Sequence, residues 1–175
     1  KTKKMLVASS GKLNTISEIA KVEYESLKND LRMLVLTDYI KKESVVNIGS
    51  EVEIDNISVV SIFEKIRRNN PYIKLACLSG TLVILPNNIK DILENEYGIG
   101  KDKYSATLLN NTDYSIYKFK GNNKEKVQIV SKLFEQGDIE ILIGTASLLG
   151  EGWDSPCINS LILASYVGSF MLSNQ

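Results

Sequence analysis

The chain contains no histidine, and that absence removes several chemistries at once. Ser-His-Asp and Cys-His relays both need an imidazole to take the nucleophile's proton, so neither can operate within this chain. Cysteine is scarce as well. Cys77 and Cys157 are far apart in sequence and form no C-x-x-C pair, so without histidine they cannot frame a metal site, and both read as reduced core cysteines. An excess of charge of one sign is also missing. Lys plus Arg number 21 and Asp plus Glu number 21, so no global field attracts a polyanion, and any nucleic-acid contact has to come from a local patch. The longest apolar stretches are broken by Ser, Gly and Thr before they reach membrane-spanning length, and no signal peptide precedes Met5. The expected location is therefore the cytoplasm, with no membrane partner. Repeats and low-complexity segments are lacking. A phosphate loop is lacking too. Ser9-Ser10-Gly11-Lys12 follows a short apolar stretch, but Leu6 stands where the first Gly of such a loop is needed, and Leu13 where Ser or Thr must follow the Lys.

What is present is an alternation of apolar runs and amphipathic segments. At 175 residues the chain is long enough for one domain with its own core, and it reads as a monomer cut from a longer protein. Met5 to Ala8 is a short strand. Asn14 to Lys28 has helical spacing, with Ser17 and Glu18 near its start, and Leu31 to Thr37 is a buried strand closed by Asp38-Tyr39. The polar stretch Ser44 to Asn56, with its alternating Val52 to Ile54, fits either a loop or a small edge strand. Val59 to Ile66 predicts a second helix ending in Lys65, Arg67 and Arg68, cations suited to a solvated helix end or to a nucleic-acid contact. Ile73 to Leu78 and Thr81 to Leu85 read as strands joined by Ser79-Gly80. Asn87-Asn88 can cap a helix from Ile89 to Tyr97, which Gly98 ends. Lys101 to Asp113 is polar and reads as loop, Tyr114 to Phe119 as a strand, Lys124 to Gln136 as a helix ended by Gly137, and Asn159 to Ala164 as a last buried strand before Tyr166 to Met171. Strands apolar throughout and alternating with helices argue for an α/β fold of three layers around a mainly parallel sheet.

The stretch Ile141 to Pro156, ILIGTASLLGEGWDSP, concentrates the chemistry. An apolar strand runs directly into a turn of small and acidic residues, and in a parallel α/β sheet ligands collect beyond the carboxyl ends of strands. Gly150 and Gly152 permit close backbone approach, and Glu151 and Asp154 can accept hydrogen bonds from hydroxyl or guanidinium groups. On composition alone the same residues equally suit a strand-to-helix turn with Trp153 as core.

Taken together, the helix with Lys126 and Phe134, the strand ending in Thr145, Gly152-Trp153-Asp154 and Pro156 resemble the second RecA-like motor domain of superfamily 2 helicases and translocases, the DEAD/DEAH-type motors. The run ending in Gly-x-Asp is similar to the family's fifth motif. Leu31 to Tyr39 resembles the strand of the fourth, and Tyr117 to Gly121 the loop before the motif-bearing helix. Gln175 falls where the sixth motif, Q-x-x-G-R-x-x-R, would begin. The resemblance covers most of the chain, which reads as a single domain over residues 1–175, with Ile73 to Asn111 longer than a minimal domain requires, as an insertion would be. Two positions depart from the DEAD-box pattern. Thr145 lies one place further from Asp154, and Glu151 replaces the Arg common before that Gly. The spacing Leu148 to Gly152 is closer to that of DNA translocases.

The resemblance implies a domain with no Walker A of its own, closing over ATP and Mg2+ held mainly by a first RecA-like domain. Gly152 and Asp154, with Glu151 beside them, would face the nucleotide. Thr37, Gly144 and Thr145 would face the phosphates of a DNA or RNA strand, and no catalytic residue would lie within the chain. The alternative expectation is a non-catalytic, doubly wound α/β binding or regulatory domain.

Overall fold

The computed structural model describes residues 5–38, 42–50, 57–147 and 156–164, leaving aside the side chains of 42–44. Among these residues the elements run in chain order: β1 (Leu6–Ser10), α1 (Leu13–Leu27), β2 (Met33–Thr37), α2 (Val59–Asn69), β3 (Leu75–Leu78), β4 (Val83–Pro86), α3 (Ile89–Tyr97), β5 (Tyr104–Leu108), β6 (Tyr114–Phe119), α4 (Asn123–Glu135), β7 (Ile141–Thr145) and β8 (Ser160–Ala164). The strands form one eight-stranded mixed sheet in the order β1-β8-β2-β7-β3-β4-β6-β5.

The fold is α/β, but the sheet is parallel only over the first five strands of that order. Beyond β3 it continues through antiparallel pairs, β3 with β4, β4 with β6 and β6 with β5. The physical reason lies in the connections. Residues 79–82 between β3 and β4 are too few for the crossover that a parallel pair needs, so the chain turns back as a hairpin. The stretch Ile73 to Asn111 supplies β3, which lies against β7, and then β4, α3 and β5 outside it. The expected loop from Lys101 to Asp113 is corrected: Tyr104–Leu108 is the edge strand β5, paired with β6 from Tyr104 opposite Phe119 to Leu108 opposite Ser115.

Side chains alternate across the pleat into two cores. Met33 and Val35, Ile141 and Ile143, and Leu75 and Cys77 join Ile16 and Ala20 of α1 and Ile62, Phe63 and Ile66 of α2 on one face. Leu34, Leu142, Ala76 and Leu78 join Ile89 and Leu93 of α3 and Val130, Leu133 and Phe134 of α4 on the other. Helices thus cover both faces of the sheet. Cys77 is free and fully inside, and Cys157 is partly buried. Among the described residues no helix is long and apolar enough to cross a membrane.

The helix ends follow local chemistry. Ser58 caps α2: its hydroxyl accepts from the Ser61 N–H at 3.1 Å, and the Ser61 hydroxyl accepts from the Ser58 N–H at 2.7 Å. Asn122 caps α4 by accepting from the Glu125 N–H at 2.9 Å. Gly98 ends α3 in the left-handed region at φ 65°, where a Cβ would be strained. Asn87 does not cap α3 as expected; its side-chain oxygen accepts from the Ser115 hydroxyl of β6.

Candidate nucleic-acid interface

The parallel strands deliver their carboxyl ends to a single rim. β2 and β7 are immediate neighbours, and their register sets Thr37 opposite Thr145 and Leu36 opposite Gly144. The two threonines singled out from the sequence therefore end adjacent strands side by side. Each continues the two-residue period of the α1/α2 face, Thr37 after Met33 and Val35, Thr145 after Ile141 and Ile143, so both hydroxyl-bearing side chains lean to the same side of the rim. Their accessibility differs. Thr37 is only 1% exposed, whereas Thr145 is half-buried and Asp38, just beyond Thr37, is exposed. Gly144 lies inside the ladder, between Leu36 of β2 and Leu78 of β3, and is buried. Of the three strand-facing candidates, Thr145 is the one a ligand can reach from outside.

Glu151, Gly152 and Asp154 lie outside the described residues, as do Trp153, Tyr39 and the segment from Tyr166 to Gln175. In sequence Glu151, Gly152 and Asp154 follow β7, and after them Pro156 and Cys157 lead into β8, on the far side of β2. Among the described residues no three His, Cys, Asp or Glu side chains lie close enough to hold a metal ion.

The next strand along the rim, β3, adds a turn that the sequence had presented only as a join between two strands. Ser79 folds it: its hydroxyl accepts from the N–H groups of Thr81 at 3.3 Å and Leu82 at 3.0 Å. From across the sheet edge, Lys126 of α4 donates to the carbonyls of Ser79 at 2.9 Å and Gly80 at 3.1 Å. Partial burial disfavours its charged form and lowers the pKa of Lys126. An ammonium group on two backbone carbonyls pins the β3–β4 turn to α4, a tie between residues 46 and 47 positions apart in sequence. Nothing in the residue pattern around Lys126 announced it.

The basic cluster at the end of α2 is not a solvated helix end. Glu64, fully buried, receives Arg67 Nε at 2.6 Å, Arg68 Nε at 2.7 Å and the Gly49 N–H at 2.9 Å. Arg68 also donates to the Asn47 carbonyl at 3.1 Å, so the cluster ties the segment 45–50 to α2. Burial raises the pKa of the Glu64 carboxyl, but the hydrogen bonds from Arg67, Arg68 and Gly49 together outweigh it, and the net shift is downward. These arginines are committed to a structural ion cluster. The spacing Glu64, Arg67, Arg68 is the i, i+3, i+4 pattern of a helical ion pair, and that signal was present in the sequence.

No family model matches the chain, and comparisons with curated proteins and with solved structures also find no match.

Proposed function

We propose that this chain is the second motor domain, RecA-like, of an ATP-dependent superfamily 2 helicase or translocase acting on DNA or RNA in the cytoplasm. In this reading it pairs with a first motor domain that holds ATP and Mg2+, and this chain alone is catalytically inert. The observation that supports it most is the side-by-side placement of Thr37 and Thr145 at the carboxyl ends of neighbouring parallel strands, together with the order of motif-like segments along the chain. A hydroxyl and backbone groups at such a rim can hold phosphates without reading bases, as a sequence-independent motor requires. Gly152 and Asp154, with Glu151, follow directly from the Thr145 strand and are assigned to the nucleotide side of the interface, Gly144 and Thr37 to the backing of the strand contact.

Burial ranks the strand contacts. Thr145 takes the phosphate directly, and Thr37, 1% exposed, supports it from below. A neutral hydrogen bond contributes roughly 0.5–1.5 kcal/mol net, so Thr145→Ala should weaken single-strand binding by the full-length protein about two- to tenfold on any base sequence. Thr37→Ala should weaken it less. The check is strand affinity on two unrelated base sequences at one salt concentration. Loss on only one sequence, or none with Thr145→Ala while the fold is intact, would favour a doubly wound binding or regulatory domain instead.

A further inference from the structure

A second feature of the same rim lies three strands away from Thr145. A cleft of about 220 Å3 opens at the carboxyl end of β6, bounded by Gly80 and Thr81 of the β3–β4 turn, Phe119, Asn122 and Lys126. The register carries the rim across to it. Gly144 faces Leu78, Leu78 faces Val83, and Ile84, the next residue of β4, faces Ile116. Phe119, the last residue of β6, thus stands at the level of the rim, about 14 Å from Thr145 at three inter-strand spacings in the plane of the sheet, but on the α3/α4 face rather than the α1/α2 face to which Thr145 leans, so a strand that joins the two passes over the rim.

The lining has the chemistry of a base-stacking site. Phe119 is half-buried, and its ring is stacked on Tyr117, with centroids 6.0 Å apart and planes 17° apart. Tyr117 is held rigid in the core by the bond from its hydroxyl to the Pro86 carbonyl at 2.9 Å. An aromatic surface fixed from behind can receive a planar ring at small entropic cost. Lys118 is exposed beside it, and Lys126 forms part of the wall. The cleft is below the roughly 300–1,000 Å3 of drug-sized pockets, a scale that suits one planar ring system. It is also open at Gly80, where an added Cβ would meet no atom within 4 Å.

We infer that the cleft formed by Phe119, the Gly80-Thr81 turn and Lys126 is a nucleobase subsite, which stacks one base of the single strand whose phosphate Thr145 holds. The inference rests on the strand-binding reading above and adds to it a contact with a base, tolerant of base identity because every base has a π-face. The site belongs to the antiparallel extension of the sheet and to α4, not to the β2–β7 pair.

The test measures binding of the full-length protein to a fluorescein-labelled oligothymidylate and to the same backbone carrying abasic spacers, at one salt concentration. The wild type should prefer the strand with bases. Loss of a stacked base typically weakens binding by about five- to a hundredfold, so Phe119→Leu should bind oligothymidylate less tightly by that factor and lose most of the preference over the abasic strand. Gly80→Met, which fills the cleft from a position with free space, should do the same without touching the aromatic core. Thr145→Ala should weaken both strands alike. If Thr145→Ala weakens binding while Phe119→Leu and Gly80→Met bind as the wild type does, or lose equally on both strands, the base subsite is refuted and the strand reading survives. If the wild type binds neither strand, both fall.

Discussion

Glu64 is the residue whose environment makes the sharpest stability claim. Its carboxylate is buried with Arg67, Arg68 and the Gly49 N–H around it, so removing its charge leaves two guanidinium groups without their counter-charge. Removing one partner of a buried ion pair typically costs 3–5 kcal/mol, and because both arginines keep some exposure, at 18% and 23%, Glu64→Gln should cost about 3 kcal/mol. The pH dependence follows from the depressed pKa of the folded state. The contribution is complete above the unfolded carboxyl value of roughly 4.3 and is lost as pH falls through the lower folded value. Urea midpoints measured from neutral pH downward should therefore fall in the wild type across that acid window, and fall less steeply in Glu64→Gln. Equal slopes would mean that another carboxylate dominates acid unfolding. At this scale the sequence was only partly legible. Thr37 and Thr145 could be placed together because each closes an apolar strand, but the burial of Thr37 depends on what packs over it. The partners of Arg67 and Arg68 were within reach of helical spacing, whereas those of Lys126 were not, since they lie on a distant turn.

Elements were legible where periodicity was strong. The spans of α1, α2 and α4 and the strands β2, β7 and β8 follow from apolar spacing because each buries a continuous stripe or run. β5 did not, because it is an edge strand: Ser105, Thr107 and Leu108 are exposed on it, and only Tyr104 is buried, so no apolar run marks it. The switch from parallel to antiparallel pairing beyond β3 was written in the short Ser79-Gly80 connection rather than in the strands. Element ends supply their own prediction. The reciprocal Ser58–Ser61 box holds the start of α2, the helix that contributes Phe63 and Ile66 to the larger core, and Ser58 is fully buried. Ser58→Ala should destabilise the protein by about 1–2 kcal/mol, since it removes the cap and leaves the Ser61 N–H buried. A urea midpoint equal to the wild type's would show that the helix start is held by packing alone.

For the whole molecule, the α/β class followed from alternating strands and helices, and the sheet places Thr145 and the cleft at Phe119 along one rim. The stretch from Leu148 to Ser155 contains the residues assigned to the nucleotide, so the motor reading joins two functions through one segment: Thr145, shortly before it, assigned to the strand, and Asp154, near its end, assigned to ATP. That division is the central claim, and the most direct measurement is to compare Asp154→Ala with the wild type in the full-length protein, recording ATP hydrolysis with saturating single strand and nucleotide-free strand affinity on the same preparations. The account predicts strand-stimulated hydrolysis by the wild type, and in Asp154→Ala a rate lowered at least tenfold with strand affinity unchanged within about twofold. Hydrolysis by Asp154→Ala at the wild-type rate, or a wild type whose hydrolysis ignores the strand, would contradict it.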